Sequence, residues 1–182
     1  MADGDALIAG DQAEDGGLSL LLDYRRRTQL YCMNGGYHLQ ILPDGTVQGQ
    51  REDRDVHSKA AAETYCACSH PGQAYCRCAH VAVLKLRAVD RGVVVIQGTE
   101  TERYLAMSEE GRLYGSRAVT DECYFLEKLE ENHYNTYQSQ KYQDNQWYVA
   151  LKKNGKPKLG PRTHIGQKAI FFLPRRIDFS QD

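Results

Sequence analysis

The chain has 182 residues, a formal net charge of −1 and six cysteines. This length suffices for one globular domain with a real core, and no run approaches the roughly 18 apolar residues of a membrane span, so no membrane insertion is predicted. Four of the six cysteines cluster between Cys66 and Cys78, which argues against a small disulfide scaffold. The start, MADGDALIAGDQAEDGG, lacks the basic and apolar regions of a secretory leader, so action outside the cell would require a leaderless route.

Residues 1–27 are predicted to form a flexible N-terminal tail. They are acidic and rich in Gly and Ala, and they end in Tyr24-Arg25-Arg26-Arg27. Such a composition cannot bury enough apolar surface to fold alone. The three arginines are also compatible with a polyanion contact or a nuclear address.

A repeated pattern of apolar residues and glycines begins after this tail. Leu39-x-Ile41-x-x-x-Gly45-x-Val47-x-Gly49 recurs as Leu105-x-Met107-x-x-x-Gly111-x-Leu113-x-Gly115, and a looser copy runs from Val149 to Gly155, with Gly160 one place later than expected. Alternation predicts a strand and glycine supplies the positive φ of a turn, so each copy predicts a β-hairpin. Three such units predict a three-fold all-β arrangement, because no unit can bury its apolar face alone.

The unequal spacing of the repeats indicates an insertion, which composition places at residues 58–81. This segment carries its own duplication, Tyr65-Cys66-x-Cys68-x-His70 and Tyr75-Cys76-x-Cys78-x-His80. Thiols and imidazoles suit zinc, and disulfides would form in an oxidising medium. However, Cys-x-Cys directs the two sulfurs apart in an extended chain. We therefore favour a long loop without a metal site.

The segment from Asp121 to Tyr137 mixes apolar residues with glutamates and tyrosines. It is compatible with a further hairpin that has a solvated face. It is equally compatible with a contact surface, because Tyr and Asn make large contacts at low entropic cost.

The end of the chain concentrates positive charge. No acidic residue occurs between Asp144 and Asp178, whereas this stretch holds eight basic ones: Lys152, Lys153, Lys156, Lys158, Arg162, Lys168, Arg175 and Arg176. Since the total is −1, the rest of the chain carries −9, which is −1 minus 8. Such polarisation predicts an anionic partner at this end.

Four stretches of the sequence resemble the fibroblast growth factors. They are LYCMNGGYHLQILPDGTVQG, YLAMSEEGRLYGS, FLEKLEENHYNTY and LKKNGKPKLGPRTHIGQKAIFFLP, and the similarity covers about residues 30–174 apart from the insertion. The resemblance implies a β-trefoil with twelve strands in three pseudo-repeats, which agrees with the repeat found above. The growth factor domain would span residues 28–176 with 58–81 as its inserted loop, and residues 177–182 would form a C-terminal tail.

The resemblance also implies a secreted mitogen that binds heparin or heparan sulfate and activates fibroblast growth factor receptor tyrosine kinases. Its effects would be cell proliferation, migration, differentiation and angiogenesis. The implied heparin-binding residues are Asn34, Lys152, Lys153, Asn154, Lys158, Arg162, Gln167, Lys168 and Ala169. Lysine and arginine neutralise sulfate, and amides donate hydrogen bonds to it. Pro157 and Leu159 replace a Cys and an Arg of the family pattern, and Lys156 adds a charge nearby.

The implied receptor-binding residues are Tyr31, Arg51, Glu127, Asn132, Tyr134 and Leu173. Aromatic residues beside an Arg and a Glu are typical of an interaction hot spot. Arg175 replaces an apolar position of the family, and the insertion begins seven residues after Arg51. By the same resemblance, Cys32 and Cys123 would be buried thiols.

We expect assembly rather than catalysis, because His133 and His164 lack a plausible nucleophile partner. The expected partners are the receptors, heparan sulfate as co-ligand and an integrin, with no cofactor, no specific nucleic acid, and a monomer that pairs on heparin. The expected locations are the extracellular space, the cytoplasm and the nucleus. Three alternatives stay open: a polyanion-binding module with signalling weakened by the insertion, an intracellular partner protein, and a nucleic-acid binder, since a basic loop does not distinguish phosphate from sulfate.

Overall fold

The computed structural model describes residues 27–51 and 82–177. In this part of the chain there are ten strands: β1 (Arg27–Cys32), β2 (Tyr37–Ile41), β3 (Val47–Gln50), β4 (Leu84–Asp90), β5 (Val93–Gly98), β6 (Tyr104–Met107), β7 (Leu113–Ser116), β8 (Phe125–Leu129), β9 (Asn135–Ser139) and β10 (Phe172–Arg176). Short 3-10 helices lie at Asp121–Cys123, Gln143–Asn145, Gly160–Arg162 and Lys168–Ile170. None of the helices in the described ranges is long and apolar enough to cross a membrane.

Six strands close into a barrel. In order around the ring, β1 pairs with β4, β4 with β5, β5 with β8, β8 with β9, β9 with β10, and β10 with β1, all antiparallel. Closure of the ring pairs each of these strands on both sides. The barrel is therefore a stable frame for the surfaces on its outer face.

Three hairpins are attached to this barrel. The first two are β2–β3 and β6–β7, and the third is held by an isolated bridge between Leu151 and Pro157. Each tight turn has a glycine with positive φ, of 90° at Gly45, 79° at Gly111 and 80° at Gly155. An L-residue with a side chain rarely adopts this backbone conformation. The repeated glycines of the sequence therefore mark three equivalent turns.

Hydrogen bonds between glycines join the three hairpins in a cycle. The amide of Gly49 donates to Gly155 O at 2.6 Å, that of Gly115 to Gly45 O at 2.7 Å, and that of Gly160 to Gly111 O at 2.8 Å. A Cβ on Gly115 would lie 2.7 Å from Ile41 Cγ2, closer than real Cβ atoms approach. The second glycine of each repeat thus permits the hairpins to meet.

The core lies inside the barrel and beneath the hairpins. Its largest fully buried side chains include Tyr137, Phe125 and Phe172, and the Tyr137 and Phe172 rings meet edge to face with centroids 6.2 Å apart. Burial of these rings supplies much of the hydrophobic stabilisation. Cys32 and Cys123 are buried free thiols, which confirms the expectation for both.

The architecture is a β-trefoil, as expected: a six-stranded barrel carrying three hairpins. The two strands that complete the expected twelve are represented by the isolated bridges Gln138–Tyr148 and Leu151–Pro157. Pro157 has no backbone N–H to continue a ladder, which accounts for the reduced pairing in the third hairpin. The proposed insertion at 58–81, residues 1–26 and residues 178–182 lie outside the described residues.

Candidate functional site

The third hairpin turn presents several of the predicted heparin-binding residues. Lys152 N donates to Lys156 O at 2.8 Å and Gly155 N to Lys152 O at 2.9 Å, and the Asn154 side-chain oxygen accepts from Lys156 N at 3.1 Å. The turn is therefore closed by its own backbone. Lys152, Lys153 and Asn154 are exposed on it, as is Lys156.

The loop between β1 and β2 is fastened to this hairpin. Asn34 Nδ2 donates to Leu151 O at 2.9 Å across 117 positions of sequence, and a Cβ on Gly35 would lie 3.1 Å from Lys153 O. An asparagine amide carries two N–H groups. The bond to Leu151 uses one of them, and among the described residues the second has no acceptor, so it is available to a ligand oxygen.

Residues 158–169 lie beside the third hairpin turn and the β1–β2 loop. We call these three segments together the basic loop surface. Lys158 N donates to Ala150 O at 2.9 Å and Leu151 N to Ala169 O at 3.2 Å, so both ends of this loop are tied to the third hairpin. Gln167 Nε2 donates to Arg162 O at 3.3 Å, and its Oε1 accepts from the amide of His164 at 3.2 Å. These bonds bring the segments that carry the nine predicted residues together.

The nine residues differ in what they present to a ligand. Ala169 is buried, and its carbonyl oxygen accepts from Leu151 N, so it positions the backbone rather than offering a side chain. Gln167 uses both ends of its amide within the loop. The charged residues are accessible. Lys152, Lys153, Arg162 and Lys168 are exposed and Lys158 is half-buried.

The electrostatics of this surface favour an anion. Within the described residues, the cations at 152, 153, 156, 158, 162 and 168 form no ion pair, while Lys128 and Lys141 each contact a carboxylate. Clustered like charges repel one another and concentrate a positive potential. A ligand with several closely spaced anionic groups relieves that repulsion at several points. Leu159, which is 38% exposed, interrupts the surface with an apolar side chain.

Four of the predicted receptor-binding residues are brought together on the barrel. Tyr31 lies opposite Leu173 in the β1–β10 pair. Beyond the Phe172–Asn135 pair, the antiparallel register brings Tyr134 toward Leu173, and the Tyr134 ring lies 6.4 Å from that of Phe171. The side chain of Asn132 accepts from Tyr134 N at 3.1 Å, which fixes the turn between β8 and β9. We call Tyr31, Asn132, Tyr134 and Leu173 the aromatic surface.

The other two predicted receptor-binding residues lie on other elements of the fold. The Arg51 guanidinium stands 4.6 Å above the Tyr37 ring centroid and Nε donates to Gly35 O at 3.1 Å, so Arg51 borders the β1–β2 loop. Glu127 lies on β8, two strands from β10, opposite Tyr137. Burial, together with the nearby Glu127 carboxylate, raises the pKa of the Tyr137 phenol, which stays protonated and neutral.

The fold and these two surfaces describe a β-trefoil protein with the features of a binding protein: a basic loop surface and a separate aromatic surface. Comparison with known proteins then specifies the family. The fibroblast growth factor family model matches residues 26–69 and 74–173. "Putative fibroblast growth factor 1" of Danio rerio is 56% identical over 160 residues, covering 88% of this chain and 91% of that protein. Fibroblast growth factor 2 of Ovis aries and of Bos taurus are each 48% identical over 163 residues, covering 88% of both chains.

The chain belongs to the fibroblast growth factor family. Members of this family are heparin-binding growth factors that act on fibroblast growth factor receptors from outside the cell. The protein is accordingly a signalling ligand and not an enzyme. This function agrees with the resemblance read from the four sequence stretches.

Proposed function

We propose that the basic loop surface is the heparan sulfate site of this growth factor and that the aromatic surface, with Arg51 and Glu127, contacts the receptor. One observation supports the heparan sulfate site. Hydrogen bonds join the third hairpin turn to the β1–β2 loop and to residues 158–169. Together they form a cationic surface with no carboxylate in the same stretch of sequence. The residues are those named above: Asn34, Lys152, Lys153, Asn154, Lys158, Arg162, Gln167, Lys168 and Ala169.

The mechanism is assembly around a shared polyanion. A heparan sulfate chain that engages the growth factor and the receptor raises their effective concentration at the membrane, so that two receptor kinases meet. The protein would be a monomer that pairs with a second copy on the same heparan sulfate chain. Heparan sulfate would act as a co-ligand, and no cofactor is expected. Sedimentation with heparin fragments of increasing length tests this pairing.

A substitution experiment tests the heparin site. Lys152, Lys153 and Lys168 are changed together to Gln, and the salt needed to elute the protein from immobilised heparin is measured. The matched control changes Arg91, Arg112 and Arg117 to Gln, since these exposed residues lie outside the site and the net charge changes by the same amount. Elution at much lower salt for the first variant alone supports the site. Equal shifts for both variants would show that the overall charge of the protein, and not this site, determines its retention on heparin.

Two further experiments address the alternatives. Affinity for DNA and heparin is compared at matched salt, because a nucleic-acid binder would hold both equally. Receptor phosphorylation is compared between the intact chain and a chain lacking residues 58–81, which distinguishes a full agonist from a module whose insertion weakens signalling.

The finer partners and locations belong to the same proposal. We place the protein in the extracellular space after export by a leaderless route, with further cytoplasmic and nuclear pools, and we include an integrin among its partners. Secretion that resists a blocker of the secretory pathway, cell fractionation, and binding to immobilised integrin test these three points. A protein that never leaves the cytosol under stress would instead be an intracellular partner protein.

A further inference from the structure

The turns of the three hairpins have the same backbone structure. In the second hairpin, Ser108 N donates to Arg112 O at 2.9 Å and Gly111 N donates to Ser108 O at 2.9 Å. The corresponding distances are 2.8 Å and 2.9 Å in both the first and the third hairpin. Three segments therefore correspond residue by residue: 42–46, 108–112 and 152–156. Only their side chains distinguish the three turns as binding surfaces.

The side chains of the second turn reverse the charge of the third. Glu109 occupies the place of Lys153, and Glu110 occupies the place of Asn154. Both glutamates are exposed. Glu110 accepts a hydrogen bond at 2.7 Å from the serine hydroxyl of the same turn, whereas the Glu109 carboxylate has no partner within the described residues. Arg112 offsets one of the two negative charges, so the turn has a net charge of −1, which is −2 plus 1.

Residues 158–160 connect the third hairpin to this acidic turn. Lys158 N donates to a carbonyl oxygen of the third hairpin at 2.9 Å, and Gly160 N donates to Gly111 O at 2.8 Å. Leu159, between them, is 38% exposed. The basic loop surface therefore changes along this segment from cationic to apolar, and it ends against the acidic turn. Exposed charges act over about one Debye length, roughly 10 Å at 0.1 M salt, so the turn influences an anion bound at this border.

We propose that Leu159 and the second hairpin turn form a low-sulfate end of the heparan sulfate site, with Leu159 and Glu109 as the residues that determine specificity. The bound chain carries sulfate where it crosses the third hairpin, and it passes to an unsulfated, N-acetylated disaccharide at this border. This inference rests on the proposed function, which places heparan sulfate on the basic loop surface. It adds the pattern of sulfation that the site selects.

The chemistry of the border suits such a disaccharide in two ways. An N-sulfate beside Glu109 would bring two anions together, whereas an N-acetyl group carries no charge. The acetyl methyl can pack on the exposed part of Leu159, which removes apolar surface from water. A continuous cationic surface would instead favour uniform sulfation, because each neutralised anion releases counterions. The border thus favours one sugar by contact and rejects the other by like-charge repulsion.

The test compares the affinities of two oligosaccharides of equal length by isothermal titration calorimetry. One is sulfated throughout, and the other carries unsulfated, N-acetylated disaccharides at one end, prepared for each end in turn. The unmodified chain is expected to bind the fully sulfated oligosaccharide and the better of the two mixed ones about equally. Glu109→Gln should raise the affinity for the fully sulfated oligosaccharide about twofold at low salt and less at high salt.

The double variant Leu159→Arg with Glu109→Lys makes the border cationic. It is expected to bind the fully sulfated oligosaccharide about tenfold more tightly at low salt, with a much smaller gain for the mixed one. Val119→Arg with Glu100→Lys is the matched control. Val119 is 37% exposed and Glu100 is exposed, both lie outside the basic loop surface, and the charge changes by the same amount.

The outcomes separate this inference from the proposed function. Equal gains for the two double variants would overturn the inference, because overall charge would then explain them. An unmodified chain that prefers the fully sulfated oligosaccharide as strongly as the cationic variant does would overturn it as well. Both results leave the heparan sulfate site in place. Unchanged affinity after joint replacement of Lys152, Lys153 and Lys168 by Gln would overturn the proposed function and this inference with it.

Discussion

Replacement of Gly111 by alanine tests whether contacts between the hairpins stabilise the three attached hairpins, in addition to the conformation of each turn. Gly111 has a φ of 79°, so an alanine there is strained. Its Cβ would also lie 2.5 Å from Pro161 Cδ and 2.8 Å from Gly160 N. That amide donates to Gly111 O, so the added carbon competes with the bond that joins two hairpins.

The expected cost follows from adding these effects. Left-handed strain contributes about 1–2 kcal/mol, overpacking about 1–3 kcal/mol, and loss of the hydrogen bond about 1 kcal/mol. Together they give a destabilisation of about 3–6 kcal/mol for Gly111→Ala, or on the order of 10 °C in Tm for a chain of this length.

Gly166→Ala is the matched control. Its φ is 91° and a Cβ there meets nothing within 4 Å, so only the backbone strain applies and the expected cost is about 1–2 kcal/mol. The loss of chain entropy in the unfolded state is the same in both variants. Urea unfolding followed by tryptophan fluorescence measures the two costs. Equal costs would show that the inter-hairpin contact contributes nothing, and would refute the reasoning.

Two further predictions concern buried or hydrogen-bonded acids. Burial raises the pKa of the Cys32 thiol from 9.0 to about 11, so the folded state retains this proton more tightly than the unfolded state. The stability it adds is complete below pH 9.0 and is lost as the pH rises through about 11. The unfolding free energy of the unmodified chain relative to Cys32→Ala should fall by about 2–3 kcal/mol across that window, and no relative change would contradict it. Burial and the hydrogen-bonded Glu122 carboxylate raise the pKa of the Tyr114 and Tyr142 phenols. Glu122→Gln should lower both, as measured by phenolate absorbance during titration, and an unaltered titration would contradict this assignment.

The repeat predicted the fold well because its signals are local. Alternation and glycine act within a few residues, so the turns at Gly45, Gly111 and Gly155 could be placed without knowledge of distant contacts. The pairing of β1 with β4 could not be predicted from pattern, because residues 33–83 separate the two strands in sequence. The reduced strand pairing of the third hairpin could not be predicted either. It depends on Pro157 and on Gly160, which lies one place later than the matching glycine of the other two repeats.

Only part of the candidate site could be predicted from local pattern, because some of its residues are close in sequence and others are distant. The lysines of the third hairpin form a run of charge that composition reveals directly. Asn34 joins them across 117 positions, and no local pattern carries that information, so only the family resemblance indicated it. The stacking of Arg175 on Tyr31 joins two residues near opposite ends of the domain, and neither the repeat nor the charge count could indicate it.

The insertion proposed at residues 58–81 would lie between β3 and β4, and this position determines which surface it would affect. Each of these strands is held by its own antiparallel ladder, β3 to β2 and β4 to β5. The cost of closing a longer loop rises only logarithmically, so the barrel can form whatever the length between them. The last described residue before the gap is Arg51, which stacks on Tyr37 and is one of the proposed receptor contacts. The basic loop surface belongs to the third hairpin instead. A change in this segment should therefore alter receptor engagement before it alters the affinity for heparan sulfate.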